Sequence, residues 1–359
     1  MSYRVKLFAA VMLSALCLNG YGQSLYADIH FDGLFDNREY KNDMLPQTIY
    51  GIRVMPEVGI DYNQTTIAAG FSKIFEFGAD DRINPSPILH CKYHGKKWNA
   101  LFGFIPRSNL QRQLPDALLY DSIAFFEPTI SGTLFQRHGQ YWQTELYCNW
   151  FSRQTETQRE AFRIVWDGYV SYSGEKGECG LPEYDLVHAG WFLTMTHWAK
   201  PKEAGHFIYD QFQFNPYIGF DTRGIIDNPD WRVMANVGLL YSMVRCRKDG
   251  DWHKPIGFLG DMQVGWKMFD IKTTFSRGGN QQPFLKDSEA GLSFHRSDPF
   301  YNHTRYMKTE FKVELINIRN VLMGFSWNIH KTPGSPIHNQ QLITFKYAIG
   351  MRKDLHEQQ

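Results

Sequence analysis

Cysteine is scarce, five in 359 residues. With Cys17 set aside in the N-terminal segment, Cys91, Cys148, Cys179 and Cys246 are too few and too scattered for a disulfide-dominated scaffold. There is no C-x-x-C, no H-E-x-x-H and no clustered His/Cys spacing, so neither a metal site nor a cofactor is expected. G-x-S-x-G is also missing, as is any nucleophile–base spacing, and from the residues alone the chain is not expected to be an enzyme. A formal net charge of +1 gives no field that would draw nucleic acid. Past the N-terminal segment no apolar run reaches the ~18 residues of a membrane-spanning helix.

The N-terminus carries Arg4 and Lys6, the apolar stretch Leu7–Leu18 and a small-residue end at Gly20-Tyr21-Gly22. That order is the grammar of a secretory signal, with cleavage expected near Gly22. Leu16 occupies the position before Cys17 where a lipidation box needs a small residue, which argues against a lipoprotein. Residues 1–22 are therefore read as an export signal and residues 23–359 as one domain.

What the domain has in abundance is alternation. In Tyr141–Phe151, Trp142, Thr144, Leu146, Cys148 and Trp150 share one parity while Gln143, Glu145, Tyr147 and Asn149 share the other, and a strand places the two sets on opposite faces. Lys308–Ile318 does the same, with Phe311, Val313 and Leu315 against Lys308, Glu310, Lys312 and Glu314. Counting such segments from Tyr26 to Arg352 gives about sixteen strands, with 14–18 as the range. Long connections (37–49, 78–86, 106–127, 152–158, 277–303) alternate with short ones (63–64, 95–97, 138–140, 319–320), loosening at 173–185 and 221–230.

Alternation alone fits a secreted β-sandwich as well as a membrane barrel. Strand number, long connections gathered at one end, and aromatics at strand ends such as Trp98, Trp142, Trp231 and Tyr241 favour the barrel. In lipid every backbone N–H and C=O must be paired within the protein, and only a closed sheet does this without an edge. The fold class expected is all-β, a transmembrane up-and-down antiparallel β-barrel. Its lumen would be lined by Asp28, His30, Asp32, Arg53, Glu57, Asp61, His90, Lys92, Glu145, Arg163, Asp167, Asp261, Lys267, Lys308, Glu310, Lys312, Glu314 and Lys346, a mixed-sign wall able to tune solute passage or simply to pair across strands. Cys179 and Cys246 would then lie at opposite ends and should not pair.

At 106–127 the periodicity stops. This insert carries Arg107, Arg112, Asp116, Asp121 and Glu127 together with Leu118, Leu119, Ile123, Phe125 and Phe126, too apolar for a purely solvated loop. It is expected either to fold inward as a constriction or to pack on the rim. Arg277–His303, with Arg277, Gln281, Gln282, Phe284, His295, Phe300 and Tyr301, has instead the content of a surface loop, either one able to contact a lipoprotein or polysaccharide or an ordinary solvated loop. Asp28 and His30 share a face and leave a carboxylate–His pair conceivable, the least favoured reading.

Over essentially all of the domain the chain resembles Gram-negative outer-membrane barrels of porin-like size. The run FGFIPRSNLQRQLPDALLYDSIAFFEPTISGTLF, Phe102–Phe135, is similar to outer-membrane proteins of Bacteroides-type bacteria. The chain departs from many such barrels in following Met351 with RKDLHEQQ rather than ending on an aromatic. The resemblance implies an outer-membrane location, lipid around the barrel, and passive diffusion of small hydrophilic solutes through the lumen. A plugged barrel that docks a partner through its loops is the alternative.

Overall fold

The computed structural model describes residues 23–41, 47–79, 83–172, 186–203, 205–222 and 230–354. The expected signal segment and Cys179 lie outside them. The described residues form sixteen strands: β1 (Gln23–Glu39), β2 (Gln47–Tyr62), β3 (Thr65–Glu76), β4 (Ser86–His94), β5 (Trp98–Pro106), β6 (Thr129–His138), β7 (Trp142–Ser152), β8 (Ala161–Tyr172), β9 (Val187–Trp198), β10 (Tyr209–Asp221), β11 (Trp231–Cys246), β12 (Ile256–Trp266), β13 (Phe269–Gly278), β14 (Arg305–Ile318), β15 (Val321–Lys331) and β16 (His338–Asp354). Each pairs antiparallel with its neighbours in sequence. β1 closes on β16 in a register running from Ser24↔Asp354 to Glu39↔Asn339, so no edge is left.

Side-chain parity turns that closure into a membrane protein. Ile67, Phe102, Leu146, Trp166, Ile218 and Phe275 point outward and are exposed, while the opposite parity turns into the barrel. A band of exposed aromatic and aliphatic side chains around a closed sheet is stable only against lipid. Lys73, which breaks the apolar parity of β3, sits near its outer end and donates to the carbonyl of Ile83. The one charge on that face thus stands at the rim rather than in the apolar belt.

Connections β5–β6 (107–128) and β13–β14 (279–304) both leave the odd-to-even end of the barrel, opposite the termini. Both fold back inside. The first touches β2, β7, β8 and β14, strands on different sides of the wall, which only a segment within the lumen can reach. The second carries Phe294 and Phe300, both fully buried.

The wall changes character to receive them. Leu101, Ile105, Ile130, Leu134, Tyr147 and Val165 make a dry inward patch against which Leu110 and Leu114 pack. Tyr209, Val244 and Cys246 form another, under Ala290 and Phe294. A uniformly hydrated lumen is therefore not what the inner parity builds. It is apolar where an insert docks and polar elsewhere, because burying an insert against charges would strand them without water. In β5 the inward Gly103 has φ 125°, and a Cβ there would lie 2.1 Å from the Leu89 carbonyl oxygen.

Candidate functional site: the plugged lumen

Insert 107–128 is held by charges of the barrel wall. Arg53 of β2 donates through Nε to Asp32 (3.1 Å) and through Nη1 to the Phe125 carbonyl (2.7 Å). Arg163 of β8 donates to the Leu118 carbonyl at 2.9 Å. Glu145 of β7 accepts from the Gln111 backbone N–H at 2.9 Å and from Gln136 at 2.6 Å. Lys308 of β14 reaches Asp116 at 2.9 Å. Such charge-assisted bonds to backbone fix a loop that has little regular structure of its own. A 3-10 turn at Arg107–Asn109 and a short helix at Asp121–Phe126 are its regular elements.

Within the insert Arg107 donates to the Glu127 carbonyl at 2.6 Å, and the Glu127 carboxylate in turn takes Arg296 of the second insert. Asp121 is partly exposed and accepts from the Ser122 N–H at 2.6 Å. Arg112 is wedged among three rings, its guanidinium carbon 4.6 Å from Tyr169, 4.7 Å from Phe192 and 5.4 Å from Tyr217. Stacking of this kind immobilises a long cation at low entropic cost.

Insert 279–304 sits against the first. The Tyr120 N–H donates to the Arg296 carbonyl (2.8 Å) and the Asp298 N–H to the Asp116 carbonyl (2.9 Å). Phe300 stacks on His330 (4.6 Å) and on Tyr306 (5.0 Å), with Tyr40 at its edge. The Phe284 N–H donates to His295 Nε2 at 3.1 Å, so the ring proton belongs on Nδ1, and the side-chain amide of Gln211 beside it accepts that proton with its oxygen turned to the ring. Burial holds the His295 imidazole neutral, its pKa pushed down to about 3. Burial, reinforced by Asp116, pushes Asp298 up to about 7.

This corrects the reading of Arg277–His303 as a surface contact loop. Gln281, Gln282, His295, Phe300 and Tyr301 are all buried, and Arg277 belongs to β13. The aromatic content marks a docking core, not a free recognition surface.

Two polar chambers remain on the termini side of the plug. The first, about 510 Å³, is lined by Asp28, His30, Glu57, Asp61, Lys92 and His94 among others, with Asn109 of the first insert beside it. There Tyr26 donates to Glu57 at 2.7 Å, His90 Nε2 lies 3.3 Å from Glu57, and Lys92 donates to Asn109 at 3.3 Å. Thr66 Oγ1 donates to Asp61 and lies 3.2 Å from His94 Nε2. The second, about 430 Å³, has Arg112, His188, Asn236, Asp261 and Lys272 in its wall.

Of the lumen residues expected from sequence, Asp167 is buried near Glu145, and Asp261 lies in the second chamber, 3.9 Å from Lys272. Glu310, Lys312 and Glu314 share the inner parity of β14, Lys312 pairing with Glu314 at 3.4 Å, and Lys346 faces inward opposite Asp32. Lys267 does not belong with them. It occupies the β12–β13 turn with φ 53° and pairs with Asp230 at the exposed end of the barrel; in sequence it continues the inward parity of Asp261 and Gln263, but the left-handed turn ends that alternation. Inward residues missed were mainly uncharged or just past a strand end: Gln211, Gln213 and Asn215 alternate with Phe212 and Phe214, a signal that a search for charge passed over. Asp270, paired with Arg232, was missed outright.

Compared with known families, residues 19–354 match the family described as Lipid A 3'-O-deacylase-type. The chain belongs to this family. Membership in a deacylase-type family overturns the expectation that the chain is not an enzyme. Thr66 and His94 are brought together only by the pairing of β3 with β4, and leave no contiguous motif to read. No curated protein matches.

The barrel of this deacylase-type chain is similar to three solved Pseudomonas aeruginosa structures. OccK9 (OpdG) has a TM-score of 0.55 at 9% identity, over 91% of this chain and 98% of that one. The outer membrane protein OprD has 0.53 at 10%, over 93% and 96%. OccK2 (OpdF) has 0.52 at 8%, over 91% and 98%. The likeness is one of fold, and it sets the chain among outer-membrane barrels of porin-like architecture.

Proposed function

We propose that the protein is a gated channel of the outer membrane, passing small hydrophilic solutes between its polar inner chambers and the outside when the two inserts shift. The supporting observation is the anchoring of the inserts to lumen charges on several sides of the wall, by Arg53, Glu145, Arg163 and Lys308. A lumen meant only to hold shape has no use for polar chambers beneath a plug. Residues 107–128 are then the constriction, and the wall charges are its seat. Planar-bilayer conductance tests this: the unmodified protein should give small or infrequent steps, and deletion of residues 108–126 larger and steadier ones. Unchanged conductance in a folded deletion variant removes the constriction. Residues 1–22 are the export signal in this reading, and sequencing of the membrane-inserted protein should begin near Gln23.

The family's description favours a second reading, hydrolysis of an acyl ester. It is supported by the Thr66 hydroxyl, set between the His94 imidazole and the Asp61 carboxylate beside the first chamber. A hydroxyl flanked by two proton acceptors has the disposition of an activated nucleophile. The purified protein would release fatty acid from an acylated glycolipid, and Thr66→Val or His94→Ala would each lower the rate by at least ~100-fold. No release above background, or full release by both variants, sinks it.

A further inference from the structure

On the outer face of the barrel one cluster of charge lies where three strands reach the same level. In β9, Ala189, Trp191, Leu193 and Met195 point outward and His197 ends the series. In β10 the outward set is Phe212, Phe214, Pro216, Ile218 and Phe220, with Asp210 at its outer end. In β11, Val237, Leu239, Tyr241 and Met243 lead to Arg245. The inward neighbours Thr196, Gln211 and Val244 are all buried, which fixes the facing. Asp210 is in register with both His197 and Arg245, so the three polar residues form one row across adjacent strands.

The height of that row follows from strand geometry. Phe212 to Phe220 is eight residues, roughly 26 Å along a strand and roughly 20 Å along the membrane normal at a tilt near 40°. An apolar band is about 25 Å tall, so a polar row just beyond Phe212 lies at the headgroup level. It is also at the end of the long connections, which in such barrels is the outer leaflet.

The row is organised around one carboxylate. Asp210 accepts from His197 Nδ1 (2.8 Å), Arg245 Nε (2.8 Å), Arg247 Nε (2.8 Å) and Arg247 Nη2 (3.1 Å). It is the only carboxylate paired with either arginine among the described residues. Arg245 is stacked over Trp252, its guanidinium carbon 4.3 Å from the ring. Among the described residues both Nη groups of Arg245, Nη1 of Arg247 and Nε2 of His197 have no protein acceptor. Two cations against one anion leave a surplus positive charge.

We propose that Arg245, Arg247 and His197, oriented by Asp210, bind the phosphate of a lipid headgroup in the outer leaflet. Two guanidinium forks held by a shared carboxylate present several donors in fixed directions, the geometry that phosphate oxygens fill. The acyl chains of such a lipid would lie along the outward apolar residues of β9–β11 directly below. The site faces lipid, not the lumen, and stands whatever crosses the barrel.

The test uses the full chain in detergent and native mass spectrometry, with phosphatidic acid and diacylglycerol of the same acyl chains as probes. The expected result is at least tenfold stronger retention of phosphatidic acid, abolished in Arg245→Gln/Arg247→Gln and kept in Arg319→Gln, at the opposite end of the barrel. Heat-modifiable migration on gels checks that each variant is folded. If the double variant fails to fold, the comparison of the two lipids on the unmodified protein still decides. Equal retention of both lipids, or of phosphatidic acid by the folded double variant, overturns the proposal. So does displacement of phosphatidic acid by an equimolar amount of inorganic phosphate, which would make this an ion site and not a headgroup site.

Discussion

Replacing Phe300 with alanine should release the second insert without opening the barrel. The ring is fully buried and lies nearly parallel to Tyr306 (3° between planes) and His330 (17°), with Tyr40 completing the box. Removing a buried phenyl ring costs about 3–5 kcal/mol through lost transfer energy and the cavity left behind. The barrel's own hydrogen bonds do not involve this side chain, so the cost falls on docking of residues 279–304. At about 1.4 kcal/mol per tenfold, the undocked fraction should rise roughly 100- to 4000-fold. Limited proteolysis of detergent-purified protein reads this directly, as faster cleavage within 279–304 while the barrel keeps its heat-modifiable migration. Planar-bilayer recordings should show more frequent opening. If Phe300→Ala is folded yet cut no faster than the unmodified protein, the stacked box does not hold the insert and the account of the plug is wrong.

Lys308→Met should loosen the first insert by roughly 1–3 kcal/mol, because Asp116 loses a charge-assisted bond but is partly solvated; conductance steps should grow, and no change would show that the contact is incidental. Asp298 has a folded-state pKa of about 7, above the ~3.9 of a free aspartate, so the docked insert favours the protonated form. The contribution of Asp298 is fully present below about pH 4, declines as pH rises, and levels off once pH passes about 7. Proteolysis of 279–304 should therefore accelerate between about pH 4 and pH 7, and Asp298→Asn should flatten that profile; an identical profile in the variant refutes the assignment. Arg112→Met should enlarge the second chamber's access by freeing Tyr169, Phe192 and Tyr217 from their shared cation, read as altered solute discrimination in liposome swelling, with unchanged discrimination counting against it.

The wall was legible because period-two patterning survives whatever a strand faces. Phe311, Val313 and Leu315 against Glu310, Lys312 and Glu314 say which side is lipid before any coordinate is known. Strand ends were less so: Asp36 and Arg38, buried and paired, lie at or past the point where β1 was expected to stop. Insert 107–128 announced itself through Leu118, Phe125 and Phe126 in a segment without period. Phe284, Phe294 and Phe300 carried the same signal in 279–304, diluted by Gly279, Asn280, Gln281 and Gln282, and read as solvated for that reason. Contacts such as Thr66 with His94, or His197 with Asp210 and Arg245, depend on cross-strand register, which a one-dimensional pattern does not contain.

The join between the two inserts dictates when the interior can be finished. Lys308 and Asp116 are 192 residues apart in the chain, and Arg296 and Glu127 are 169 apart. The first contact needs β14 in the wall, and the second needs both inserts turned inward. Contacts so remote in sequence form slowly, because the intervening loop must close first. Filling of the interior is thereby tied to closure of the wall: the plug is completed only once strands far apart in the chain stand together.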